Sequence, residues 1–171
     1  MGFFVLSLLP VLLDGQTRLV DSIPKTQPRQ NVWLSAGPGV ATNGLCLAGS
    51  AWYSHDDVVF GAHAAEGVPL FDARQRVDEQ SVLAGVRDLG ENELLLVAMG
   101  PSLLRGWRLD SDPNSANVNR SPELGLTVAA QAALTTPLLG IGFDLFSSLS
   151  KHRRLAGITL SLQLGWLGRD P

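Results

Sequence analysis

Near its C-terminus the chain reads LAGITLSLQLGWLG, from Leu155 to Gly168. Ala156, Ile158, Leu160, Leu162, Leu164 and Trp166 share one parity; Gly157, Thr159, Ser161, Gln163 and Gly165 share the other. Side chains alternate across a strand, so this segment has one oily face and one small or polar face. A helical stripe does not alternate strictly over about a dozen positions. Soluble strands usually run about 5–6 residues, whereas a tilted strand needs about 9–11 to cross a bilayer. The segment therefore predicts a long transmembrane strand, with Trp166 near one membrane interface.

The rest of the chain breaks into seven more runs of similar length, at about 31–42, 45–54, 58–66, 79–88, 93–105, 123–134 and 138–148. Asn43-Gly44, His55-Asp56-Asp57 and Leu89-Gly90-Glu91-Asn92 are turn chemistry, and DSDPNSANVNRS lies in the longest irregular stretch, 106–122. Connections after the second, fourth and sixth runs are expected to be short. Those after the third, fifth and seventh are expected to be longer, as in barrels with short periplasmic turns and longer outer loops.

Parity sorts the polar residues. In the sixth run Leu124, Leu126 and Val128 oppose Glu123, Thr127 and Gln131, and in the seventh Ile141 and Phe143 oppose Asp144. In the third and fourth runs, His63 and Arg87 oppose the apolar set. The first, second and fifth runs are less decisive, since Trp33 and Leu94 fit either face. A solvated face carries many charges, but here the non-apolar face is mostly Gly, Ala, Ser and Thr. That composition suits the narrow lumen of an eight-stranded barrel. The expected fold is all-β: a closed, antiparallel, up-and-down transmembrane β-barrel over 31–168.

Composition agrees. Net charge is −3, which leaves no basic footprint for nucleic acid. Mean hydropathy is +0.15, yet no apolar run reaches the roughly 18 residues of a membrane helix. Cys46 stands alone, so it makes neither an internal disulfide nor a metal cluster. Residues 1–13, MGFFVLSLLPVLL, have the length of a signal-peptide core without its basic start, and 1–30 read as a degenerate or truncated export signal and lead-in.

The stretch ELGLTVAAQAALTTPLLGIGFDLFSSLSKHRRLAGITLSLQLGWLG resembles the C-terminal part of small bacterial outer-membrane β-barrel proteins, clearest over about 121–168. Gly157, Leu160 and Leu162 keep the glycine and hydrophobic spacing of the insertion signal read by the barrel-assembly machinery. The family usually ends on an aromatic residue, whereas this chain continues past Trp166 to Pro171. The resemblance implies residence in the outer membrane of a Gram-negative-type bacterium. Its expected partners are outer-membrane lipid and, during insertion, that machinery.

Candidate chemistry is sparse. His63, Arg87, Glu123, Thr127, Gln131, Asp144 and Gln163 are expected to point into the lumen as hydrogen-bonded filling. Direct pairing of Arg87 with Glu123 is not expected, since they belong at opposite ends, and His63 is the cationic candidate for Asp144. Leu124, Leu126, Val128, Ile141, Phe143, Ile158, Leu160, Leu162, Leu164 and Trp166 are expected to face lipid. Lys151, Arg153 and Arg154 form a basic loop suited to anionic headgroups. Ser54-His55-Asp56 holds triad residue types, but neighbours on a strand point to opposite faces. His55, Asp56 and Asp57 lack the spacing of a metal site. Gly37-Pro38-Gly39 is no phosphate loop, because no helix follows. No cofactor and no catalysis are expected; the role expected is structural or interaction-based, with a self-plugged lumen. Two alternatives are a soluble periplasmic lipocalin-like barrel binding an apolar ligand and a membrane-embedded lipid hydrolase.

Overall fold

A computed structural model describes residues 30–69, 76–90, 92–106 and 121–167, so the expected export signal lies outside the described residues. Eight strands follow one another: β1 (Gln30–Ala41), β2 (Gly44–His55), β3 (Val58–Pro69), β4 (Val77–Leu89), β5 (Glu93–Gly106), β6 (Glu123–Thr135), β7 (Leu139–Ser150) and β8 (Arg154–Gly165). Each pairs antiparallel with its neighbours, and β8 returns to β1 to close the sheet. Closure leaves no edge strand with unpaired backbone groups.

The register sets the tilt. One path leaves β5 at Glu93 and crosses the ladder through Leu134, Ile141, Leu162, Ala36, Gly49, Ala64 and Gln80. It returns to β5 at Leu103, ten residues further along. A stagger of this kind goes with strands inclined by about 35–45° to the barrel axis.

Two sequence expectations need correction. The β7–β8 connection is only 151–153, as short as 136–138, so the longer outer connections are 70–76 and 107–122. The hydroxyl of Ser150 allows this tightness: it accepts from Arg153 N at 3.1 Å. The last ladder also stops earlier than expected. Gly165 takes φ +145°, a backbone region that suits glycine, and Leu167 then turns under the barrel, its N–H donating to Pro137 O at 3.0 Å. Leu167 is buried and Trp166 stays exposed on the outside.

Burial alternates along every strand, and the direction is inverted relative to a soluble protein. Leu160, Leu162 and Leu164 are 50–54% exposed, and Leu124, Leu126, Val128, Ile141, Phe143 and Ile158 are outside with them. Ser35, Ser50, Thr127, Ser148, Thr159 and Ser161 are buried inside. A lipocalin-like barrel needs its apolar face inward, and here that face points out.

The lumen is also more apolar than parity suggested. Trp33, Trp52, Leu83, Leu94, Leu96, Leu104, Phe146 and Leu155 are buried in it. Trp33 and Trp52 stack with centroids 6.2 Å apart. Inward glycines make room for such rings: a Cβ on Gly61 would sit 2.3 Å from Trp52 Cε3. Strands β1, β2 and β5 were ambiguous in sequence because they carry large apolar residues on both faces.

Candidate functional site: the filled lumen

Four hydrogen-bonded layers follow one another along the barrel. At the end holding the short turns, Arg87 donates from Nη2 to Asn31 Oδ1 (2.7 Å) and from Nε to Asp56 O (3.0 Å). Its guanidinium lies 5.9 Å from the Trp33 ring centroid, a cation–π arrangement that caps the indole pair. The adjacent β2–β3 turn supplies that carbonyl with Asp56 at φ +53°, a conformation Asp tolerates.

The middle layers draw residues from seven of the eight strands, all but β5. Asp144 accepts from Ser35 Oγ at 2.6 Å and Ser161 Oγ at 3.0 Å. Gln131 accepts from Trp33 Nε1 (3.4 Å) and donates to Ser50 Oγ (3.3 Å), which also accepts from Trp52 Nε1 (2.7 Å). Farther along, His63 Nδ1 lies 2.8 Å from Glu79 Oε2, and Thr127 Oγ1 is 2.9 Å from Glu79 Oε1 and 2.7 Å from Ser148 Oγ. The expected His63–Asp144 pairing is thus replaced. Hydroxyls from β1 and β8 serve Asp144, and the imidazole goes to Glu79 on the neighbouring strand.

At the outer end Glu123 is half-buried and gathers three partners: Arg153 Nη1 (3.1 Å), His152 Nδ1 (2.8 Å) and Ser150 Oγ (3.0 Å). Arg153 was expected in a headgroup-contacting loop. It is instead 2% exposed, turned inward, with Nε donating to Gly106 O at 3.1 Å. Directly before Arg154, it shares the inward parity of the buried Leu155, and Glu123 offsets its charge. Lys151 and Arg154 remain exposed. Arg87 and Glu123 lie at opposite ends, unpaired with each other.

Glu79 is the lumen residue that sequence reasoning passed over, although its parity matches Ser81 and Arg87. Gln163 is fully enclosed, and neither of its amide atoms has a partner among the described residues.

Among the described residues no serine is hydrogen-bonded to a histidine that could act as its base. Glu79 and His63 stand with Ser81 directly across the β3–β4 ladder, a Ser–His–acid set by type. Yet Ser81 Oγ and His63 Nε2 are each without a hydrogen-bond partner among the described residues, so the hydroxyl is not engaged by its base. Both atoms are buried within the barrel. Ser54 is buried while His55 and Asp56 lie exposed, as adjacent strand and turn positions require. Among the described residues no group of His, Cys, Asp and Glu could hold a metal ion.

No family profile and no curated protein matches the chain. Solved structures do. The N-terminal β-barrel domain of Pseudomonas aeruginosa OprF matches at TM-score 0.60 with 17% identity, over 81% of this chain and 100% of that one. Neisserial surface protein A matches at 0.55 with 15% identity, over 81% and 99%. Ail, the attachment invasion locus protein of Yersinia pestis, matches at 0.52 with 11% identity, over 82% and 100%. At these identities the likeness is one of fold: this chain has the closed eight-stranded architecture of small outer-membrane barrels.

Proposed function

We propose that this chain is a bacterial outer-membrane protein whose barrel spans the bilayer, is plugged by its own side chains, and has a structural or interaction role without catalysis. The observation that carries the reading is the inverted barrel: apolar residues outside, hydrogen-bonded polar groups within. Water would leave the outer apolar band unfavourably exposed all round the molecule, whereas lipid matches it. The band has the right height. On β6 the outward positions from Leu124 to Leu134 are all apolar, with Leu126, Val128, Ala130 and Ala132 between. Ten residues at about 3.3 Å, tilted by about 40°, rise about 25 Å, the height of the apolar band of such barrels. Tyr53 and Trp166, both exposed, suit the interface at the short-turn end.

The filled lumen supports a closed barrel. Arg87, the Trp33–Trp52 stack, the Asp144 and Glu79 networks and Arg153 succeed one another along the axis. Insertion of such a wall falls to the barrel-assembly machinery. The test is refolding into lipid vesicles, a gel comparison of heated and unheated samples, and planar-bilayer recording. The reading expects a heat-modifiable band and no stable channel currents. A protein recovered as a water-soluble monomer contradicts the membrane reading; steady large conductance contradicts the plug.

A further inference from the structure

Exposed charges at the outer end of the barrel are distributed unevenly. On the β3–β4 side they are paired: Arg76 Nη2 lies 2.9 Å from Glu66 Oε1, and its Nε 3.0 Å from Asp78 Oδ1. On the β7–β8 side, Glu123 is taken up by Arg153 and His152. Lys151 and Arg154 are exposed there and have no acidic or hydrogen-bonding partner among the described residues.

The wall changes character beside Arg154. Ala156 is the next residue on the same parity, and Ser147 stands opposite it on β7. Ser147 is exposed on the outward face, its hydroxyl without a partner among the described residues. Its outward neighbours along β7 are Leu145 and Leu149. A hydroxyl turned toward hydrocarbon with nothing to bond is unfavourable, so its position calls for a polar occupant. Leu149 faces Arg154 across the ladder, which makes Ser147 the diagonal neighbour of Arg154. Such neighbours lie about 7–8 Å apart, a gap that one phosphate bridges by accepting from both at about 2.8 Å.

We propose that Arg154, Lys151 and Ser147 form a binding site for the phosphate of an anionic membrane lipid, whose acyl chains run down the apolar wall of β7 and β8. The site rests on the bilayer orientation argued above. It differs from the loop cluster read in sequence: Arg153 leaves it, bound inward to Glu123, and Ser147 enters.

The test uses the full chain in nanodiscs, with retained phosphatidylglycerol counted against phosphatidylcholine by native mass spectrometry. Heat-modifiable migration of the parent checks the bilayer reading separately, and migration of each variant checks its folding. Each cation near an anionic headgroup contributes about fivefold in affinity. K151Q and R154Q should each weaken phosphatidylglycerol retention by about that factor, and the pair by about 25-fold. S147A should weaken it while leaving the charge unchanged. R76Q removes the same charge from the paired rim and should not alter retention. The proposal is overturned if the double variant retains lipid like the parent, or if R76Q loses as much as R154Q. Displacement of the lipid by inorganic phosphate at matched concentration would also overturn it, marking a site for free anions.

Discussion

Replacing Glu79 with alanine tests whether the lumen network is a stabilising core. The carboxylate is fully buried and bonds His63 at 2.8 Å and Thr127 at 2.9 Å. Thr127 keeps a second partner in Ser148, so its loss is partial. His63 does not: its other nitrogen has no partner among the described residues, so the whole imidazole would be left unsatisfied beside Phe146. A buried polar group left without its hydrogen-bond partner typically costs about 1–3 kcal/mol, and more where a charge is involved. Glu79→Ala, which strips the imidazole of its partner and weakens the bonding of Thr127, should therefore lower the unfolding free energy by about 2–4 kcal/mol. Glu79→Gln keeps an acceptor of the same shape and should cost only about 1–2 kcal/mol. In the double variant His63→Phe/Glu79→Leu the unpaired groups are gone, so part of the loss should be recovered, with a coupling of about 2 kcal/mol or more. The assay is urea unfolding in lipid vesicles followed by fluorescence of the enclosed Trp33 and Trp52. A loss below about 1 kcal/mol for Glu79→Ala, or strict additivity in the cycle, would refute the argument.

Two further outcomes follow from the wall and the packing. Leu160→Arg, on the outward face of β8, should cost about 2–4 kcal/mol in vesicles, and Leu124→Arg, near the outer end, about 0–1 kcal/mol; equal costs in the same urea titration would contradict the depth assignment. Gly61→Val places branched carbon where Trp52 lies, so it should cost about 1–3 kcal/mol and change the near-ultraviolet circular dichroism of the indole pair.

Parity made the fold legible. Alternation in β6, β7 and β8 fixes which side chains share a face, and the small, sparsely charged opposite face identifies a lumen rather than a water-exposed surface. Strands β1, β2 and β5 resisted because a narrow lumen accepts aromatic and aliphatic plugs as readily as serines. Trp33 and Leu94 therefore carry no sign of direction. Partners inside the lumen were harder to read. Neighbours across a ten-residue stagger are remote in sequence, as Ser35 and Asp144 are, and alternation does not specify register. Arg153 shows the limit at turns: a run of four basic residues looks uniform in sequence. A three-residue link leaves Lys151 and Arg154 outside and turns Arg153 inward to Glu123.

Everything above turns on the leucine face of β8 meeting lipid. Single cysteines at Ile158, Leu160, Leu162 and Leu164, and at Thr159, Ser161 and Gln163, in a Cys46→Ala background, can carry spin labels in vesicles. Collisions with oxygen, which concentrates in hydrocarbon, and with a water-soluble nickel chelate then report each position. A period of two is expected, with the even-numbered positions highly accessible to oxygen and the odd-numbered ones shielded from both reagents. Oxygen access at the odd-numbered set, or nickel access along the even-numbered set, would contradict it.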